Sequence, residues 1–365
     1  MSDALASRRT ARLQAAPPLF AFALARLVGA AVALRAGFSP LRVSSWIRWD
    51  SFWYLRLAQH GYQLERCRDE PSNLCGGTGW LPGYPVLIRL LAGTGAPPEA
   101  AAVAIAAAAH LLLLVFLWCG FLKALPGGRK FLALALAAFF PGAIYLQAVF
   151  PVSLALLFAL LFLHEALEDR YARAAAFGAA AAFTYATGFL LGVAYALWLL
   201  SCGEDRQRDW RRLLPVAGPL LGFGAVNALM AAQTGVWGAF FKTQAGYGYG
   251  LSNPLTTLLS RLAGGEAPAG LQTLLVAALA AAAGWVALRG RARPRLSLFG
   301  CAVAVYWLFP LLLGGGISLY RSDAMLLPST VLLAEAPPAL LAALAVCAVL
   351  LTPSMELAFF RGVLV

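Results

Sequence analysis

Residues Glu99 to Leu122 read EAAAVAIAAAAHLLLLVFLWCGFL, a run with one charge at its start and Lys123 just beyond its end. A bilayer core takes about 20 apolar residues of helix to cross, so this stretch reads as a membrane span. Apolar runs of similar length recur from Leu19 to Leu351 with only short polar breaks. Of the 365 residues, 61% are hydrophobic and 12% charged, and the mean hydropathy is +0.76, whereas soluble domains carry roughly 25% charged residues. The fold class that follows is an all-α polytopic membrane protein, a single transmembrane domain over residues 1–365 with about ten membrane segments.

The net charge of +12 would fit a nucleic-acid binder if the basic residues formed one patch, and they do not. They fall in short clusters between apolar runs: Arg8, Arg9 and Arg12; Lys123, Arg129 and Lys130; Arg170 and Arg173; Arg206, Arg208, Arg211 and Arg212; Arg289, Arg291, Arg293 and Arg295. That distribution is the positive-inside signature of cytoplasmic loops and excludes nucleic acid as the expected partner. The N-terminal arginines followed by an apolar stretch resemble a secretory signal, but Arg26 interrupts the apolar core, so an uncleaved first span with a cytoplasmic N-terminus is expected in the cell membrane.

Anchoring the clusters inside sets the order of spans. Leu19–Ala36 leads out to a long segment, residues 37–98, and Glu99–Leu122 returns. Phe131–Val149 and Val152–Leu167 form a hairpin. The run from Ala172 to Leu200 has basic clusters at both ends, so it must cross an even number of times, with a break at Thr184-Tyr185-Ala186-Thr187-Gly188. Irregular backbone at membrane depth is tolerated only where protein or water covers it, so that break should line a cavity. Leu213–Ala232 leads out to a second long segment, residues 233–270; Leu271–Leu288 and Leu296–Leu313 follow. Two shorter helices, Met325–Leu333 and Ala339–Leu351, end the chain. Cys67 and Cys75 bracket a polar stretch on the expected outer side, where disulfides persist, and are expected to pair.

The first outer segment contains SSWIRWDSFWYLRLAQHGYQ, Ser44 to Gln63. On a helix, Trp46, Trp49, Asp50, Trp53 and Leu57 would share one stripe, as in a helix lying in the membrane interface. An aspartate at a helix start is an ordinary N-cap. A carboxylate against aromatic rings is also desolvated and suited to accept a proton. Both readings of Asp50 stay open. His60 has a similar choice between a ligand or base and a hydrogen-bonded structural residue. Further on, Trp80-Leu81-Pro82-Gly83-Tyr84-Pro85 opens another helix.

The succession RWDSFWYLRLAQHGY and then LPGYPVLIRLL, over Arg48 to Leu91, resembles the PIG-V family of mannosyltransferases, also called GPI mannosyltransferase 2, and its bacterial relatives in the GT-C superfamily. The resemblance implies a GT-C-type fold with interfacial helices in the first outer loop. It implies transfer of a sugar, typically mannose, from a polyprenyl- or dolichyl-phosphate donor to a glycolipid or glycan acceptor on the extracytoplasmic face, with inversion. Asp50 matches the family's general base. Arg321, Lys242 and Arg48 are the candidates for the donor phosphate, against an ordinary role as interfacial charges reaching for water. Trp49, Trp53, His60, Tyr62, Tyr84, Tyr185 and Tyr320 are expected to line the pocket. A lipid-phosphate donor is a substrate and needs no nucleotide pocket. The sequence has no phosphate-cradling glycine pattern and no metal-ligand spacing, so no cofactor or obligatory metal is expected. Membrane lipids are the surrounding partner, and the sequence identifies no protein partner.

The chain departs from the family at Phe150-Pro151-Val152-Ser153, where an acid usually precedes the serine. It also departs at Tyr185, where an arginine usually follows the threonine, and at Trp80-Leu81, where aromatic residues usually precede Pro-Gly. These departures leave the donor sugar and acceptor open and keep a catalytically silent scaffold as one alternative. The other is a transporter or lipid flippase, which calls for buried ionisable residues at mid-span. Arg26, His110, Glu165 and Asn227 form no obvious set in the sequence.

Overall fold

The computed structural model describes residues 2–67, 73–202, 209–247, 250–264, 267–314 and 319–363. Helix α1 (Ser2–Arg35) is followed by a short 3-10 turn, Val43–Trp46, and by α2 (Ser51–His60). Two-residue strands β1 (Glu65–Arg66) and β2 (Leu74–Cys75) pair antiparallel, with Glu65 opposite Cys75 and Arg66 opposite Leu74. Then come α3 (Gly83–Ala92), α4 (Pro98–Phe116, extended by a π turn over Leu117–Phe121), α5 (Gly127–Ala138), α6 (Ile144–Gln147), α7 (Val152–Leu167), α8 (Tyr171–Thr184) and α9 (Leu190–Ser201). The remainder is α10 (Leu214–Thr234), α11 (Ala239–Gly246), α12 (Pro254–Gly264), α13 (Ala267–Arg289), α14 (Pro294–Leu312), α15 (Leu319–Asp323), α16 (Ser329–Leu333) and α17 (Pro338–Phe360). Six helices are long and apolar enough to cross a membrane, and three shorter apolar helices accompany them. This is the architecture of an all-α multi-pass membrane protein.

Four stretches differ from the sequence expectation, the smallest being Met325–Leu333, which is a 3-10 turn over Ala324–Leu326 followed by the five-residue α16. Phe131–Val149 is not one helix: α5 stops at Ala138 because Pro141 has no N–H to donate and Gly142 takes φ +83°. A Cβ on Gly142 would press on Ala324 and the Tyr320 carbonyl, so the break admits α15 against the hairpin. The last helix does not end at Leu351. It runs 23 residues to Phe360 and carries Pro353 inside it, as membrane helices tolerate. The aromatic stripe after the first span is also divided, because the helix begins only at Ser51. Trp46 sits in the preceding turn, buried against Phe360, with its Nε1–H donated to the Pro40 carbonyl at 2.9 Å. Trp49 lies between the two with φ +53°.

The expected break in Ala172–Leu200 is present. Tyr185 is extended, a 3-10 turn covers Ala186–Phe189, and α8 and α9 are only 14 and 12 residues long. Glycine makes the break compact, since a Cβ on Gly188 would collide with the Ala181 backbone. A Cβ on Gly83 would collide with Thr184, so the Pro-Gly motif of the first outer segment packs directly on the break. Helix α10 lies along α8 through Gly218 and Gly222, where side chains would strike the Ala175 and Ala179 carbonyls. Such small-residue spacing lets membrane helices approach closely. Arg206 and Arg208, and residues 315 to 318 of the late outer segment, lie outside the described residues.

Candidate functional site

Asp50 occupies the N-cap position of α2, yet its carboxylate makes no bond to the helix N-terminus. It instead accepts a hydrogen bond from Arg321 Nη1 on α15, forming an ion pair between residues 271 positions apart. The side chains are 20% and 12% exposed. Trp49, immediately before Asp50, is one of two non-glycine residues with positive φ among the described residues. A left-handed conformation costs a bulky residue about 1–3 kcal/mol, and residues held in that way cluster at functional sites. Here it turns the chain from the buried Trp46 so that Asp50 meets α15.

An aromatic floor lies beneath the pair. The Arg321 guanidinium sits 5.7 Å from the Phe150 ring centroid, a distance at which a cation is attracted by the ring face. Phe150 packs edge-on against Tyr54 and Tyr145, and Tyr54 in turn against Tyr84. Burial works against the charge on Arg321, but Asp50, Tyr185 and Tyr54 outweigh it and hold the guanidinium well above its ordinary pKa. Burial likewise pushes the Tyr54 phenol well above its usual range, with Arg321 opposing. Arg321 Nε is buried without a hydrogen-bond partner, so donor capacity remains beside the carboxylate. Tyr185, from the α8–α9 break, is 7% exposed and within electrostatic range of Arg321. The tyrosine at a position where the resemblance implies an arginine therefore lies beside this pair.

The other sequence candidates are dispersed. Arg48 lies over Phe38, 4.1 Å from the ring centroid, and Lys242 is exposed on α11. No described contact joins either to Asp50. Trp53 stacks on Trp80 with centroids 5.2 Å apart, and Trp80 meets Tyr247 edge-on. His60 is exposed in the last turn of α2. Tyr62 donates its hydroxyl to the Trp80 carbonyl at 2.9 Å, and its N–H to Gln233 at 2.7 Å. Tyr84 is fully buried and donates to the Ala102 carbonyl at 2.7 Å, pinning α3 to α4. These two tyrosines act as struts for the outer segment. Cys67 and Cys75 form a disulfide with Cα atoms 5.0 Å apart, closing the β1–β2 hairpin. Arg56 ties that hairpin to α2 through Glu65 at 2.9 Å. Helix α11 covers it, with Thr243 and Thr78 hydroxyls 2.7 Å apart.

Tyr320 supports a second buried ion pair that the sequence did not reveal. Its ring carries the Arg261 guanidinium at 4.4 Å, and Arg261 Nη2 lies 3.6 Å from Asp323 Oδ2. Asp323 also accepts a 2.8 Å hydrogen bond from Gln272. Burial raises the Asp323 carboxyl above its usual pKa, with Arg261 and Gln272 opposing.

A third polar group lies among the spans. Arg26 donates to the Gln147 carbonyl at 2.9 Å, Gln147 Nε2 donates to Glu356 at 3.0 Å, and His110 is fully buried with neither ring nitrogen hydrogen-bonded. Arg26 acts electrostatically on both His110 and Glu356. Glu165 instead pairs with Arg170 at 3.3 Å, and Asn227 donates to the Phe223 carbonyl at 3.0 Å. Among the described residues, no group of three or more His, Cys, Asp and Glu is placed to hold a metal ion.

No family model matches the chain, and no curated protein matches it.

Proposed function

We propose that the chain is a membrane glycosyltransferase that moves a sugar from a polyprenyl-phosphate donor to an extracytoplasmic acceptor with inversion, mannose being the first sugar to test. The observation that carries this reading is the Asp50–Arg321 pair. A carboxylate and a cation that the resemblance singles out meet over an aromatic floor, with the strained Trp49 beside them.

The acceptor hydroxyl gives its proton to the Asp50 carboxylate as its oxygen bonds to the anomeric carbon. The bond from that carbon to the donor phosphate oxygen breaks, and its electron pair leaves with the lipid phosphate. Arg321 balances the charge of that phosphate. Asp50 and Arg321 satisfy one another in the absence of substrate, so each is a weak catalyst until the phosphate draws Arg321 away and frees the carboxylate. Purified protein given polyprenyl-phosphate mannose and glycan acceptors is expected to release polyprenyl phosphate, and Asp50→Asn to stop the release while the protein still inserts. Unchanged release by Asp50→Asn removes the base assignment. A wild type that folds and releases nothing across polyprenyl-phosphate sugars leaves the silent-scaffold reading standing.

The Arg26–Gln147–Glu356 group with His110 favours a second reading, transport coupled to a proton, since intramembrane ionisable residues mark such paths. Proteoliposome flux lost in Glu356→Gln, with no sugar transfer by the wild type, would select it.

A further inference from the structure

Helix α15, which delivers Arg321 to Asp50, is only five residues long. So short a helix does not hold itself in place, because nucleating its first turn is unfavourable and five residues propagate little beyond it. Its position is set by its neighbours. Gly142 lets it approach the hairpin, and the Arg261 guanidinium lies over the Tyr320 ring at 4.4 Å. Neither contact fixes an orientation. The glycine only makes room, and Arg261 Nη2 stays 3.6 Å from Asp323, an ion pair too long for a directed hydrogen bond.

Gln272 on α13 supplies the directed contacts. Its side chain is fully buried, and its amide Nε2 donates to the Asp323 carboxylate at 2.8 Å and to the Tyr320 carbonyl at 3.3 Å. The two N–H groups of one amide thus take acceptors on either side of Arg321. Both partners are oxygens, so the amide must turn its nitrogen toward α15. Its own Oε1 is then left buried without a hydrogen bond, an arrangement uncommon in native proteins. A side chain needed there for packing alone would be apolar and would leave no oxygen unsatisfied.

We infer that Gln272 is a positioning residue for Arg321. By clamping α15 on both sides of that residue it holds the guanidinium against Asp50 and, on the transfer reading on which this second part rests, where the donor phosphate arrives. No described contact joins Gln272 to Arg321 or Asp50 themselves, so it acts through the Tyr320 backbone and the Asp323 side chain. A cation that must meet a phosphate has to be held within about 0.5 Å, and the groups that do this are the hydrogen bonds one layer out. A misplacement of about 1 Å can lower a rate by about a hundredfold.

The test compares double-mutant cycles on the full chain, unfolded in mixed micelles titrated with sodium dodecyl sulfate. The coupling between Asp50→Asn and Arg321→Gln is measured in the wild type, in Gln272→Leu, and in Asn227→Leu, which deletes a buried amide that donates within α10. Gln272→Leu should shrink that coupling about fivefold or more in the unfolding equilibrium, and Asn227→Leu should leave it unchanged. A residue that merely supports the fold lowers the stability of all members of a cycle alike. Undiminished coupling in Gln272→Leu therefore overturns the inference, as does an equal fall in Asn227→Leu. Gln272→Asn, whose amide is one methylene short of α15, decides the matter in the same way should Gln272→Leu fail to insert. In transfer assays Gln272→Leu should raise the KM for polyprenyl-phosphate mannose about tenfold, through weakened charge-assisted bonds to the phosphate, and leave the acceptor KM unchanged; equal rises in both overturn the phosphate part. A wild type that transfers nothing removes the transfer reading alone, and the cycles still decide whether Gln272 places Arg321.

Discussion

The Asp50–Arg321 pair makes a quantitative demand on folding that is independent of catalysis. Arg321→Gln leaves a carboxylate that is 20% exposed without its cation, and Asp50→Asn leaves a guanidinium that is 12% exposed with only the Phe150 ring and nearby phenols around it. Removing one partner of a buried pair costs about 3–5 kcal/mol. The residual exposure lets water recover part of that, so each single variant should cost about 2–4 kcal/mol. The double variant replaces both charges by amides that hydrogen-bond one another, and should cost less than the sum of the singles by about 2 kcal/mol, roughly thirtyfold in the unfolding equilibrium. The assay is a double-mutant cycle on unfolding in mixed micelles titrated with sodium dodecyl sulfate. Costs that add to within about 0.4 kcal/mol would mean that the charges do not meet in the folded protein and would refute the site as described.

Other consequences are testable in the same preparation. Gly83→Ala drives a methyl into Thr184 and should destabilise the fold and depress transfer, whereas Gly224→Ala meets nothing within 4 Å and should be neutral or stabilising by up to about 1 kcal/mol; equal effects would undo the packing account. The Cys67–Cys75 bridge spans eight positions, so reduction should lower stability by about 2.5 kcal/mol and add two hydrogens to the intact protein's mass; an unchanged mass on reduction refutes the bridge. Asp323 has its carboxyl pKa raised by burial, so the folded state holds that proton more tightly than the unfolded chain. Its contribution therefore stabilises as pH falls through the raised folded-state value toward about 3.9 and is lost as pH rises. Asp323→Asn should remove that part of the acid-side gain in melting temperature, and a variant with the wild-type pH slope would contradict the sign.

What the sequence made legible was whatever depends on local pattern. The apolar run of α4 follows from hydropathy and the break at Thr184–Gly188 from the basic clusters at both ends of its run, whereas Asp50 and Arg321 were brought together as a candidate site through the family resemblance. What stayed hidden depends on contacts between distant segments. Glu356 meets Gln147 across 209 positions, and the last helix, expected to stop at Leu351, continues through Pro353 to Phe360. Arg261 lay in a polar outer segment, where nothing local separates a buried guanidinium from a solvated one. The left-handed turn at Trp49, which removes Trp46 and Trp49 from the helical stripe, has no propensity signal, since tertiary packing imposes it.

The five residues of α15 hold two charges whose partners come from distant parts of the chain, Asp50 near the start and Arg261 well past the middle. A rigid element gripped in two places cannot yield at one without altering the other. Whatever loosens Arg321 from its carboxylate is therefore felt at the Arg261–Asp323 pair. By reciprocity, a change in the second pair alters the strength of the first by a matching coupling energy. The short helix thus joins the protein's two buried ion pairs into a single thermodynamic unit.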